Sequence, residues 1–156
     1  MGDARPELDE VVLPALLRSA RRTYRAAVRE AHLQAGFDDV PRNGAFVLGA
    51  IARDGSPLRE VIEALEVSKQ AAGQLVDTLV ARGYLDRSPD PADRRRLTLA
   101  LTERGWGATT AARSAVERVN ARLVERVGAD CFAQTRVALF VLHELGQEDA
   151  AARKRD

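Results

Sequence analysis

The chain has 156 residues, of which 46% are hydrophobic and 30% are charged, as expected for a single globular domain over residues 1–156. Its 24 Lys and Arg residues nearly balance its 23 Asp and Glu residues, so a nucleic-acid-binding surface would have to come from local clustering of basic residues. Cys131 is the only cysteine, which excludes an internal disulfide, and no stretch approaches the roughly 20 apolar residues of a membrane span, so we predict a cytoplasmic protein with no membrane partner.

The first part of the sequence is predicted to be helical. Aromatic residues make up only 4% of the chain, and its abundance of Ala, Leu and Arg favours helices over sheets. Apolar residues recur every three or four positions from Leu8 to Gln34, which predicts a long amphipathic helix. We expect a second helix from Pro41 to Asp54 and a short third helix over residues 58–65.

A fourth helix is predicted over residues 68–82, and its two faces differ in polarity. Ser68 is a favourable N-cap because its hydroxyl can accept a hydrogen bond from an amide of the first turn, and Gly83 suits the helix end. The predicted buried face consists of Ala72, Leu75, Val76, Leu79 and Val80. The opposite face consists of Gln70, Gln74, Asp77, Thr78 and Ala81. The helix therefore has one face for the core and another for binding.

A β-hairpin and two helices are predicted to follow. The segments 84–87 and Leu97–Leu101 favour strands, and the prolines and aspartates between them are typical of an exposed turn. We expect a helix over residues 103–127 and a last helix from Asp130 to Leu145. The charged tail from residue 148 onward is expected to fray.

This order of elements predicts a mainly α (α+β) fold. A short helix, a tight turn and a second helix followed at once by a hairpin form a winged helix-turn-helix, which we place over residues 42–105 with its wing over residues 84–101. The terminal helices, over residues 8–34 and 106–147, are longer than such a domain needs. Because their apolar stripes have no other surface on which to pack, we predict that they form the interface of a homodimer.

Four short motifs resemble the MarR family of bacterial transcription regulators. They are Leu-Val-Asp at 75–77, Arg-Gly-Tyr-Leu at 82–85, Asp-Arg-Arg at 93–95 and Leu-Thr-x-x-Gly at 101–105. Each motif is weak alone, but the combination is specific. The flanking helices also agree with the family in length and order, so the resemblance covers nearly the whole chain.

The resemblance implies an obligate homodimer whose N- and C-terminal helices intertwine. Each subunit would place one winged helix-turn-helix on half of a palindromic operator in double-stranded DNA, near the regulator's own promoter. The helix over residues 68–82 would be the recognition helix in the major groove, and the wing would lie in the minor groove. The resemblance further implies repression that is relieved by a small ligand, and the family binds small aromatic acids between the dimerisation helices and the winged domain.

Two groups of residues are candidates for DNA binding. Ser68 and Lys69 suit contacts to phosphates, while Gln70 and Gln74 can present an amide donor and acceptor to a base edge, the geometry that pairs with adenine. An arginine at a hairpin tip is attracted by the negative potential of a narrow minor groove, and the family's pattern implies that Asp93 orients Arg95 for insertion there. The candidate wing arginines are Arg87, Arg94, Arg95 and Arg96. The alternative for both groups is a solvated surface.

A run of basic residues on the first helix is a candidate ligand site. It contains Arg18, Arg21, Arg22, Arg25 and Arg29. Such a run is most often a solvated face, and the alternative is the floor of a site for a small anionic, aromatic effector. The candidate ligand-binding residues are Tyr24, Arg25, His32 and Phe46.

Other functions find less support in the sequence. His32, His143 and Cys131 lie on different elements without ligand spacing, so no metal site or other cofactor is predicted. Cys131 is expected to be a small packed residue, although gating of the same regulator by oxidation or by a metal stays an alternative. A winged helix can also bind proteins, which would require an apolar face in place of Gln70 and Gln74. No nucleophile with its base, carboxylate pair or phosphate loop is recognisable, so no catalytic residue is assigned and an enzyme is not predicted.

Overall fold

The computed structural model describes residues 11–54, 68–89 and 97–153. The helices in these ranges are α1 (Leu13–Gln34), α2 (Gly44–Asp54), α3 (Lys69–Ala81), α4 (Glu103–Val127) and α5 (Ala129–Arg153), and the strands are β1 (Leu85–Pro89) and β2 (Leu97–Leu101). This mostly helical content with one small antiparallel sheet confirms the predicted fold class. No helix in these ranges combines the length and apolar character needed to cross a bilayer. The short helix predicted over residues 58–65 lies outside the described residues, as do Asp93, Arg94, Arg95 and Arg96.

The chain divides into two compact units, Met1–Val116 and Glu117–Asp156. The core of the first unit is formed by α2 and α3, the start of β1 and the first half of α4. Leu99 and Leu101 of β2 are partly buried against this core, as the alternation of the strand predicted. The residues of this core that are fully buried include Val47, Leu48, Leu79, Tyr84, Leu85 and Ala108.

The second unit contains the end of α4 and all of α5. Gly128, with a φ of 83°, separates these helices, which agrees with the helix end predicted at this glycine. Contrary to expectation, Cys131 is exposed, because it lies on a side of α5 that no part of the described chain covers. The charged tail also differs from expectation: α5 continues to Arg153, since the Glu, Gln, Ala and Arg residues of this segment are strong helix formers.

The start of α2 differs from the prediction. We expected Pro41 to occupy its first turn, but the helix begins at Gly44. Asn43 has a φ of 67°, which is incompatible with a right-handed helix, so the chain forms a turn before α2 instead. In that turn the Gly44 amide donates to the Pro41 carbonyl over 2.8 Å.

A tight junction joins α3, the hairpin and α4. β1 and β2 pair antiparallel with Leu85 opposite Leu101, which confirms the predicted hairpin. Gly83 ends α3 with a φ of 71°, a conformation that glycine adopts without steric cost. The Thr102 hydroxyl donates to the Gly83 carbonyl over 2.6 Å and accepts from the Gly105 amide over 3.0 Å. The hairpin is thereby held between the end of one helix and the start of the next.

Candidate functional site

The two faces of α3 have the burial that its sequence predicts, except at Thr78. This residue was predicted on the exposed face but is half-buried, and its hydroxyl donates to the Gln74 carbonyl over 2.7 Å. On the core side, the buried residues are Ala72, Val76 and Leu79, and the half-buried ones are Leu75 and Val80. On the other side, the exposed residues are Lys69, Gln70, Gln74, Asp77 and Ala81.

The predicted DNA-binding residues of α3 lie together at its N-terminal half. Ser68 adopts an extended conformation, and its Oγ accepts a hydrogen bond from the Ala71 amide over 3.2 Å, which is the predicted N-cap. Gln70 and Gln74 are four residues apart and project from the same side of the helix, next to Lys69. The structure thus brings two amides and one ammonium group onto one exposed surface, with the Ser68 hydroxyl already engaged by the cap.

Arg87 of β1 is paired with a residue of α3. Its guanidinium donates to Asp77 Oδ1 over 2.7 Å, and the two side chains are 35% and 65% exposed. An exposed pair of this kind contributes under about 1 kcal/mol to stability, so its main effect is to orient Arg87. Sequence reasoning assigned Arg87 to DNA and missed its partner. The only signal was the opposite charge of the two residues, since no helix or strand period relates them.

A polar cluster around Asp39 connects the loop after α1 to β1 and α4. The Tyr84 hydroxyl donates to Asp39 Oδ1, and Arg104 donates to the same oxygen over 2.9 Å and to the Tyr84 hydroxyl over 3.1 Å. Arg82, the C-cap of α3, donates to the Asp39 carbonyl. The hydrogen bond from Tyr84, assisted by Arg104, lowers the pKa of Asp39. Sequence reasoning missed this cluster, because its members lie far apart in the chain.

The Arg104 guanidinium also lies over two aromatic rings. It is 4.7 Å from the centroid of the Tyr84 ring and 5.8 Å from that of Phe37, distances typical of cation–π contacts. The Phe37 ring meets the Tyr84 ring edge-on, with centroids 6.3 Å apart. Phe37 therefore packs on the same cluster that holds the end of α3.

All four predicted ligand-binding residues line one groove of about 850 Å³ between α1, the loop after it and α2. Tyr24 is half-buried, while Arg25 is exposed and Phe46 is 48% exposed. The groove also has apolar walls, and we call it the aromatic groove. These walls include Val28, Leu33, Phe37, Val40, Pro41 and Ala45.

His32 has a structural partner at the edge of this groove. It is only 5% exposed, and its Nε2 lies 3.0 Å from the carbonyl oxygen of Ala108. Burial lowers the pKa of His32, which favours a neutral ring that donates to this carbonyl. The ring also contacts Phe37 edge-on, with centroids 6.3 Å apart. His32 thus joins α1 to α4 as well as lining the groove.

A second groove of about 650 Å³ adjoins the first, and we call it the arginine groove. Its lining residues are Ala15, Arg18, Ser19, Arg21, Arg22, Arg25, Arg42 and Asn43. Five of these residues also line the aromatic groove, namely Arg21, Arg22, Arg25, Arg42 and Asn43. The basic run of the first helix therefore lines two adjoining grooves, and Arg29 belongs to the aromatic groove alone.

A comparison with protein-family models finds a match over part of the chain. A family model described as MarR family matches residues 38–96. No curated protein sequence matches the chain significantly.

Solved structures share the fold over most of the chain. CouR from Rhodococcus jostii RHA1, solved with p-coumaroyl-CoA, is 27% identical over 86% of this chain and 93% of its own, with a TM-score of 0.65. The reduced form of MarR from E. coli is 22% identical over 85% of this chain and 96% of its own, with a TM-score of 0.66. A transcriptional regulator from Thermotoga maritima is 24% identical over 88% of this chain and 96% of its own, with a TM-score of 0.56. The family match over residues 38–96 and the shared fold confirm the resemblance of this chain to the MarR family of transcription regulators.

Proposed function

We propose that the chain is a sequence-specific DNA-binding transcription regulator, a homodimeric repressor that is released by a small anionic, aromatic ligand, and that it is not an enzyme. The observation that carries the proposal is the exposed pair Gln70 and Gln74 on a capped helix whose opposite face is buried and which leads directly into a β-hairpin. This arrangement suits insertion of α3 into a major groove.

Each DNA-binding residue has a role that follows from its side chain. Gln70 and Gln74 can form paired hydrogen bonds with a base edge, whereas Lys69 supplies a point charge for a phosphate. Arg87, held by Asp77 beside α3, is suited to the DNA backbone next to the major groove. For the wing tip, Asp93, Arg94, Arg95 and Arg96 stay candidates on the grounds of sequence.

The proposed dimer rests on the exposed apolar residues of α5. Nearly every described side chain of this helix is exposed, including Val137, Phe140 and Leu145 at 57%, 61% and 53%. A patch of this kind is unfavourable in water unless another surface covers it. We propose that a second copy does so through residues 8–34 and 106–147, with more than about 2,000 Å² buried, as in obligate dimers. A monomeric mass by light scattering at micromolar concentration would contradict the dimer.

The proposed effector binds in the aromatic groove. Its ring would pack between Tyr24 and Phe46, and its carboxylate would pair with Arg25. The relative CouR, solved with p-coumaroyl-CoA, supports an aromatic acid or a derivative of one. Phe37 offers a path to the DNA-binding element, because it lines the groove and also packs on Tyr84, the residue directly before β1. Since coupling is reciprocal, operator DNA should weaken effector binding as much as the effector weakens DNA binding.

Competition binding tests base recognition against wing insertion. The operator would be located by footprinting the DNA beside the protein's own gene, and affinity would be measured on operator and scrambled duplexes at several salt concentrations. Gln74→Ala should cost about 1–3 kcal/mol on the operator and little on scrambled DNA. The matched control is Gln34→Ala, which removes an exposed amide of α1 that bonds only to Glu30 among the contacts of the described residues. Equal losses on the two duplexes with Gln74→Ala would contradict base recognition.

The wing variants should behave differently from Gln74→Ala. Arg95→Ala should weaken binding to both duplexes and reduce the log-log salt slope by roughly one per lost contact, doubled in a dimer. Asp93→Ala should give a milder form of the same effect if its carboxylate orients Arg95. Unchanged affinities and an unchanged salt slope with Arg95→Ala would show that the wing does not enter the DNA.

A further inference from the structure

The polar cluster around Asp39 holds the end of α3 from two sides. Arg82 is the C-cap of α3, and its guanidinium donates to the Asp39 carbonyl. Tyr84 lies two residues further along the chain, after the turn at Gly83, and its hydroxyl donates to the Asp39 carboxylate. The exit of α3 is therefore attached, on both sides of this turn, to one residue of the loop after α1.

The Asp39 carboxylate is itself held in place by α4. Arg104 donates to Asp39 Oδ1 over 2.9 Å and to the Tyr84 hydroxyl over 3.1 Å, so the three side chains form a closed triangle of hydrogen bonds. Burial and the bond to Asp39 raise the pKa of Tyr84, and its hydroxyl therefore keeps the proton that it donates. Each of the three groups limits the positions of the other two.

The buried face of α3 does not fix the orientation of this helix by itself. That face consists of the aliphatic residues Ala72, Val76 and Leu79, and apolar burial is non-directional. Hydrogen bonds depend on angle as well as distance. The bonds from Arg82 and Tyr84 thus supply a directional constraint at one end of α3.

A small tilt at this end would produce a large displacement at the exposed glutamines. Gln74 lies eight residues before Arg82, a helical distance of about 12 Å at roughly 1.5 Å per residue. A tilt of about 10° around the C-cap would therefore move Gln74 by roughly 2 Å. A hydrogen bond to a base tolerates only about 0.5 Å, from about 2.7 to 3.2 Å. Base recognition by α3 is consequently sensitive to contacts that touch no base.

We propose that Asp39 is a positioning residue for sequence recognition: through Arg82 and Tyr84 it sets the placement of the two glutamines of α3. This inference rests on the proposed function and adds a specificity-determining residue outside the DNA-binding surface. The side chains of Asp39 and Arg104 are 40% and 42% exposed, and an ion pair this exposed adds little to stability. Loss of the Asp39 carboxylate should therefore change DNA recognition more than folding.

The competition assay on operator and scrambled duplexes separates positioning from charge. Asp39→Asn removes a negative charge and keeps the size of the side chain, so a purely electrostatic effect would strengthen binding to both duplexes. We expect instead that operator affinity falls by about fivefold or more, the lower end of the cost of one lost base contact, with scrambled affinity nearly unchanged.

The matched control is Asp38→Asn, which removes the same charge from the same loop. Asp38 is exposed and has no hydrogen bond or ion pair among the described residues. This variant should leave the ratio of the operator and scrambled affinities unchanged. All measurements use the ligand-free, full-length protein.

A double-mutant cycle distinguishes positioning from a merely structural role. If Asp39 acts by placing Gln74, Asp39→Asn should cost clearly less in a Gln74→Ala background, because that base contact is already lost. Residues with independent effects would give the same fold-loss in both backgrounds. Tyr84→Phe, which changes no charge, should reproduce the pattern in a milder form. Asp39→Glu, which keeps the carboxylate, should recover part of the loss.

Cooperative urea unfolding verifies that each variant folds, and Tyr84→Phe carries the same test if Asp39→Asn does not fold. Equal losses on the two duplexes would overturn the inference. It would also be overturned by equal effects of Asp39→Asn and Asp38→Asn, or by the same fold-loss with and without Gln74→Ala. Absence of specific DNA binding by the wild type would contradict the proposed function and this inference together. Specific binding by the wild type that does not depend on Asp39 would contradict this inference alone.

Discussion

Gly105 offers a direct test of the junction that positions the hairpin. It lies in the first turn of α4, where an added Cβ would come 2.2 Å from the Tyr84 carbonyl oxygen and 3.0 Å from Leu101 Cδ2. The leucine side chain can shift, but the carbonyl is fixed because it accepts from the Thr102 amide over 3.2 Å. Gly105→Ala must therefore move the start of α4 away from β1 or break this hydrogen bond.

Two opposing effects set the magnitude. Overpacking a well-packed interior costs about 1–3 kcal/mol, and a contact with backbone places this substitution at the upper end. Alanine gains roughly 1 kcal/mol over glycine within a helix. We expect the free energy of unfolding to fall by about 2 kcal/mol, the difference between these terms. Gly49→Ala in α2 is the matched control, because no atom lies within 4 Å of its added Cβ. It should stabilise the protein by about 0.4–1 kcal/mol.

Urea unfolding followed by circular dichroism would measure both variants. Protein concentration must be the same in all samples, because the stability of a dimer depends on it. A Gly105→Ala variant as stable as Gly49→Ala would refute the close approach of α4 to the Tyr84 carbonyl.

Three further predictions concern single side chains. Burial lowers the pKa of His32, so near pH 6.5 the unfolded chain binds a proton more readily than the folded chain, and the free energy of unfolding falls as pH decreases. His32→Gln, which keeps an amide donor for the Ala108 carbonyl, should flatten this fall between about pH 7.5 and 5.5 in urea titrations. An unchanged fall would contradict the lowered pKa of His32. Asp77→Ala should weaken binding to operator and scrambled DNA alike, because Asp77 holds Arg87 beside α3; unchanged or stronger binding in the competition assay would show that the pair does not position Arg87 for DNA. Cys131 is expected to be dispensable, so Cys131→Ser should bind the operator with the wild-type affinity and peroxide should release neither protein; release of the wild type but not of Cys131→Ser would show redox gating.

The sequence by itself determined the elements whose signals are local. Ser68 as a cap and Gly83 as a helix end placed α3 to within about one residue. The alternation of Leu97, Leu99 and Leu101 predicted strand β2, and the structure added its register opposite β1. Such signals depend on side chains only a few positions apart, so they are visible in the sequence. The basic run of α1 was visible for the same reason, although its interpretation was open.

Local signals also misled at particular positions. Pro41 suits a first helical turn, but the positive φ of Asn43 moved the start of α2 to Gly44. Cys131 resembled a packed residue because of its neighbours, and the fold left it exposed. In both places the outcome depended on backbone conformation or on surroundings that a short window of sequence does not contain.

Only the tertiary structure decided which distant residues meet. Asp39 lies 45 positions from Tyr84 and 65 from Arg104, and no helix or strand period relates such separations. His32 was predicted as a ligand-binding residue, and the fold additionally gave it a carbonyl partner 76 positions away on α4. The physical reason is that hydrogen bonds and steric contacts act over a few ångströms in space, whereas sequence patterns report only neighbours along the chain.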